Sequence, residues 1–157
     1  DYLKGGEDAA RRRRIQPLAL VEYEARWHVF GNDLAAGADR TFLLSRIVST
    51  VTLTRSSFDL ALRDGAGERA LSGLNDVAAR QHALLEVTPG TEASLRLGRR
   101  ATPADQGLYV PYVDLHIFAD ELASYGPEVR VVEPASLREQ VVARLQRTVD
   151  AHEAVPA

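Results

Sequence analysis

Two short stretches hold the residues best suited to chemistry. "RWHVFG" contains the only Trp, Trp27, with His28 beside it, and "RTFLLSRI" places Arg40 and Arg46 six positions apart around an apolar centre. Guanidinium groups offer planar donor forks that match phosphates and base edges. An imidazole adds a flat ring, a hydrogen-bonding edge and a charge that changes near neutral pH. Together these groups suit an anion or a nucleotide. A plainer reading also stands, because an indole packs well in a core with one acceptor for its N–H. Two Arg at the ends of an apolar strand face can likewise extend to its rims. Spacing alone leaves the choice open.

Strand alternation sharpens the roles. It puts Trp27 and Val29 on one face and His28 and Phe30 on the other, so Trp27 is expected in the core with His28 facing away. If the second stretch is one regular strand, Arg40, Phe42, Leu44 and Arg46 share a face. Upstream, "RRRR" at residues 11–14 is the densest charge run. Its first three members read as a solvated strand entrance, whereas Arg14 opens the apolar run "RIQP" and alternates with Ile15, an arrangement that can aim it into a cleft.

Catalytic and metal chemistry find little support. The four His, at 28, 82, 116 and 152, share no i,i+2 or i,i+4 spacing, and zinc signatures are missing. There is no nucleophile elbow, Walker loop or dinucleotide fingerprint. No enzyme activity, cofactor or metal is expected.

The elements that must position these residues fall into two groups. "RRIQPLALVEYE", "RWHVFG", "RTFLLSRI" and "IVSTVTL" read as strands, separated by the turn signals "GGEDAA" and "GNDLAAGAD". Such a run of short strands predicts a small barrel or a strongly bent sheet over residues 1–63. Residues 64–83 carry Gly punctuation and small side chains, and read as a linker with one short helix at most. From 84 to 157 the order is strand, helix, one or two strands, helix, strand, helix, which predicts a ferredoxin-like α+β domain. In it Leu115, Phe118, Leu122 and Tyr125 line one helix until Gly126 and Pro127 stop it, and Leu137, Val141, Leu145 and Val149 stripe the last one. Ser136 and Glu139 have capping-box spacing, in competition with Glu133 as the cap of a helix that begins at Pro134.

Composition describes an ordinary globular chain, 45% hydrophobic and 26% charged. No run approaches the roughly 18 apolar residues of a membrane helix, and no signal peptide opens the chain. The absence of Cys fits a reducing cytoplasm. The absence of Met and the start at "DYLKGG", which reads as a strand end and a turn, suggest a piece of a longer protein. Basic residues are 18 Arg against a single Lys. Residues 1–63 carry ten basic against eight acidic residues, a net +2, and the remainder nine against fourteen, a net −5. A polyanion would therefore meet the first part and be repelled by the second.

The pattern R-x-x-P at residues 14–17, Trp27-His28-Val29 where W-Y-L is usual, and R-x-F-x-L-x-R-I at residues 40–47 resembles the signature of WYL domains, sensor modules of bacterial transcription regulators. The tail "FADELASYGPEVRVVEPASLREQVVARL" looks like the C-terminal extension domain that follows WYL, and the whole resembles regulators of the proteasome accessory factor B and C type. The resemblance implies an Sm-like (SH3-type) five-stranded barrel, an upstream helix-turn-helix for duplex DNA that is not in this chain, and a homodimer or a dimer with a paralogous regulator. It also implies single-stranded DNA or an oligonucleotide as a DNA-damage signal, held by Arg14, His28, Arg40 and Arg46 with Trp27 as structural anchor. The departures are His28 for Tyr, which keeps a flat ring but loses the phenol's reach, and Val29 for Leu, a packing change.

Overall fold

Hydrogen-bond partners decide which of the β-compatible stretches become strands. In the computed structural model, which describes residues 1–153, three pair as an antiparallel meander: β1 (Ile15–Tyr23), β2 (Arg26–Asp33) and β3 (Ala38–Leu43). "IVSTVTL", expected as a fourth, joins no strand. Ile47 bridges Tyr2, the Val48 N–H donates to the Asp1 carbonyl, and the pairing stops there. A backbone without a ladder neighbour does not become a strand, whatever its side chains prefer. The first sheet is accordingly an open three-stranded one, with no closed barrel among the described residues.

Asp33 builds the β2–β3 turn. Its side chain accepts the Ala35 N–H at 3.0 Å, its carbonyl accepts those of Ala36 and Gly37, and Gly37 takes the left-handed φ of 63°. Strand β3 then ends sooner than alternation suggests. At Leu44 the chain tightens into a 3-10 turn, Leu44–Arg46, so Arg46 does not continue the face of Arg40 and Phe42.

Residues 64–83, expected as a linker with a short helix at most, hold a 15-residue helix instead, α1 (Ala66–Arg80). Ala66, Ala70 and Leu74 form its buried stripe at i, i+4, i+8. Two arginines bind this region to the sheet. Arg69 donates to the Leu62 and Asp64 carbonyls at 2.9 and 2.6 Å and lies 5.9 Å from the Phe30 ring centroid. Arg63 Nε donates to the Leu18 carbonyl, where a bulge between Pro17 and Ala19 interrupts pairing with β2. The chain packs as two units, Asp1–Asp76 and a second from Val77 onward.

In the second unit β4 (His82–Val87), β5 (Thr102–Ala104), β6 (Gly107–Pro111) and β7 (Val129–Glu133) form an antiparallel sheet in the order β5-β6-β4-β7. Ala83 and Leu85 of β4, Val110 of β6 and Val131 of β7 meet the helices α2 (Glu92–Gly98), α3 (Leu115–Ser124) and α4 (Ala135–Glu153) in one core. The strands and helices therefore follow the expected α+β order. Thr91 caps α2, and Asp114 caps α3 through both the His116 and Ile117 N–H groups. Helix α4 begins at Ala135, one residue after the alternative start at Pro134, which leaves Ser136 inside the helix and not at its cap. Leu137 and Val141 are buried there, while Leu145 and Val149 of the same stripe are exposed.

Candidate functional site

Paired residues of an antiparallel sheet point to one side, and so do residues two apart on a strand. The register Glu22–Trp27, Leu20–Val29–Phe42, Gly31–Arg40 and Asp33–Ala38 therefore assigns Trp27, Val29, Gly31, Asp33, Arg40 and Phe42 to a single face. His28 pairs with Val21 and Leu43 on the opposite face, with Phe30 and Thr41. The ring that accompanies Arg40 is thus Trp27. His28 Nδ1 lies 3.0 Å from the Arg26 carbonyl, and because a carbonyl only accepts, Nδ1 carries the proton.

Trp27, expected in the core, is 53% exposed. The reason is position along the strand. It stands one residue from the tight β1–β2 turn at Glu24 and Ala25, opposite the exposed Glu22, where the hairpin reaches past its packing. Val29, two residues on, is buried between Leu20 and Phe42, and Tyr2 closes edge-on over Phe42 at 5.1 Å.

At the other end of this face stands Asp33, fully buried. Arg13 Nη1 donates to its Oδ2 at 3.2 Å, and Arg40 Nε lies 4.0 Å from the same oxygen. Two guanidinium groups against one carboxylate leave a surplus positive charge, and the Arg40 side chain, 52% exposed, carries it to solvent. Arg13 Nε is buried without a hydrogen-bond partner. Gly31, opposite Arg40, permits the close approach of β1, since a Cβ there would sit 2.5 Å from the Gln16 carbonyl oxygen.

The inward arginine is therefore Arg13, whereas the sequence pointed to Arg14. Arg14 is exposed, with its carbonyl accepting the Leu34 N–H. The pattern missed by one residue because β1 starts only at Ile15, and alternation does not extend into the irregular segment before it. Arg46, half-buried in the turn after β3, accepts the Leu3 N–H on its carbonyl. The signal that could have found Asp33 was the acidic residue itself, at the tip of a hairpin between two arginine-bearing segments.

A model of the WYL domain matches residues 1–52, and a model of the WCX domain matches residues 79–149. The chain therefore carries a WYL domain followed by a WCX domain. It is similar to the protein PafB of Mycobacterium tuberculosis, 31% identical over 143 residues, which is 85% of this chain and 43% of that protein. It is also similar to PafB of Mycobacterium leprae, 27% identical over the same shares. Among solved structures it resembles the proteasome accessory factor B/C (PafBC) of Arthrobacter aurescens, with a TM-score of 0.55 and 27% identity over 99% of this chain and 25% of that one. The chain spans less than half the length of these relatives. Among its described residues no helix is long and apolar enough to cross a membrane.

Proposed function

We propose that this chain is the ligand-sensing part of a cytoplasmic bacterial transcription regulator of the DNA-damage-response type, and that its ligand is single-stranded DNA or a short oligonucleotide. The observation that carries the reading is that Trp27 and Arg40, both about half-exposed, stand on the same side of the sheet. A bare indole is a stacking platform worth about 1–3 kcal/mol per base, and the Arg40 fork suits a phosphate. Four residues of β2 separate Trp27 from Gly31, roughly 13 Å at strand rise. At a rise of about 3.4 Å per stacked nucleotide, that length takes on the order of four nucleotides. Arg13 holds Asp33, the carboxylate that also faces Arg40, Arg14 and Arg46 add positive charge near the ends, and His28, on the opposite face, takes no part. Duplex DNA would be contacted by a separate helix-turn-helix, and the regulator would act as a homodimer or paired with a paralogue.

The lone Trp provides the test. Addition of a short single-stranded oligonucleotide at low salt is expected to quench its fluorescence saturably, and fluorescence anisotropy of a labelled strand should give the same affinity. Binding that survives unchanged in Trp27→Ala and Arg40→Ala overturns the site, and no binding by either method overturns the ligand class.

One observation favours a second reading, an interaction module without a nucleic-acid ligand. Val142, Leu145 and Val149 form an exposed apolar strip along α4. Concentration-dependent self-association that is lost in Leu145→Glu, with no oligonucleotide binding, would favour it.

A further inference from the structure

The second unit has a groove of about 560 Å³ on the side of its sheet away from the core, lined by His82, Leu84, Tyr109, Glu133 and Arg138 among others. The register places Tyr109, Leu84 and Glu133 in one row across β6, β4 and β7. With strands about 4.8 Å apart, that row runs roughly 10 Å from a phenol ring, over an aliphatic side chain, to a carboxylate. His82, two residues before Leu84 on the same face, meets Tyr109 edge-on at 5.4 Å and extends the aromatic end.

The charged end has a specific construction. Pairing between β4 and β7 slips between Leu84 and Leu85, so Val132 bulges out with no partner opposite it. The Val132 carbonyl accepts Arg138 Nη1 at 2.9 Å, which anchors the guanidinium beside Glu133. No ion pair joins Glu133 to Arg138, and the Glu133 carboxylate has no partner among the described residues. Two exposed, opposite charges thus line one end of the groove with no ion pair between them, while the other end is apolar and aromatic.

The geometry points to a binding site for a free α-amino acid with an aromatic or long aliphatic side chain. Such a ligand carries its ammonium and carboxylate on one carbon, which suits Glu133 and Arg138 side by side. Its side chain then lies over Leu84 toward Tyr109 and His82. The volume falls in the ordinary range for small-molecule sites, about 300–1,000 Å³. A phosphate-bearing ligand would meet Glu133 at the same end, and repulsion there disfavours it. This site stands apart from the nucleic-acid reading of the first unit and does not depend on it.

Isothermal titration calorimetry of the whole chain tests it with three probes: L-phenylalanine, phenethylamine, which lacks the carboxylate, and 3-phenylpropionate, which lacks the ammonium. L-phenylalanine is expected to bind saturably below about 10 mM, with each half-ligand at least about tenfold weaker. Glu133→Gln should weaken L-phenylalanine and phenethylamine and spare 3-phenylpropionate, whereas Arg138→Gln should weaken L-phenylalanine and 3-phenylpropionate and spare phenethylamine. The half-ligand comparison needs no variant, so it stands even if a substitution disturbs folding. The proposal is overturned by no saturable heat with L-phenylalanine, L-leucine or L-tryptophan. Binding unchanged in both variants, or binding by a nucleoside monophosphate alone, also overturns it.

Discussion

Arg13 Nη1 donates to Asp33 Oδ2 at 3.2 Å, and this contact ties the segment before β1 to the end of β2. Because Asp33 also holds the β2–β3 turn through Ala35, one buried carboxylate sets the hairpin and the placement of two arginines at once. Removing it should therefore be costly. Asp33→Ala is expected to lower stability by about 2–3 kcal/mol, less than the roughly 3–5 kcal/mol of breaking a fully buried pair, because the Arg13 side chain keeps 25% of its exposure. Asp33→Asn keeps an oxygen for the Ala35 N–H and should cost less. Urea denaturation of the two variants measures both, and a loss under about 0.5 kcal/mol in Asp33→Ala would contradict the role.

Arg40 should behave oppositely. Its pair with Asp33 is long and its side chain half-exposed, so Arg40→Ala is expected to leave stability within about 0.5 kcal/mol. On the proposed function, its effect is expected in binding. Loss of one phosphate contact should reduce the slope of log affinity against log salt by about 0.7 for a single strand. An unchanged slope with unchanged affinity would remove Arg40 from the ligand face.

Two glycines of the same hairpin make a contrast. An added Cβ at Gly31 meets the Gln16 backbone oxygen at 2.5 Å, whereas Gly37 has open space but a left-handed φ of 63°. Gly31→Ala should therefore cost about 1–3 kcal/mol through overpacking against backbone. Gly37→Asn should be close to neutral, because Asn tolerates that φ. Thermal denaturation of both variants checks the ordering.

Burial pushes the Tyr112 and Tyr125 hydroxyls above their usual 10.0, with Glu121 adding to the effect at Tyr125. The folded state thus favours the neutral phenols. Their contribution is complete below the unfolded value and is lost as pH rises through the folded one. The urea midpoint is expected to fall as pH rises past the usual phenol value of 10.0, and Tyr112→Phe should flatten that decline. A midpoint that stays level across the range would rule the effect out.

Much of the second unit was legible from its pattern. Phe118 and Leu122 announced the buried face of α3, and Gly126 and Pro127 its end. What escaped did so for physical reasons. Helix α1 was masked by Gly67 and Gly73, each about 1 kcal/mol worse than Ala in a helix, and by a buried stripe made mostly of small alanines. Alternation correctly separated Trp27 from His28, but it cannot tell which face of a hairpin tip is covered, so Trp27, expected in the core, is exposed. In "RTFLLSRI" the period of two was real only as far as Leu43. Nothing in the side chains reports that the backbone runs out of ladder partners and tightens at Leu44.

Arg69 bolts three pieces together: α1, in whose first turn it lies, the 3-10 turn Leu60–Arg63 through the Leu62 carbonyl and that of its cap Asp64, and the sheet through the face of Phe30. A single side chain shared in this way couples the opening of one piece to the opening of the others. In native-state hydrogen exchange, the amides of β2 around Phe30 and those in the first turns of α1 should therefore lose protection as one cooperative group, and Arg69→Ala should split that group in two.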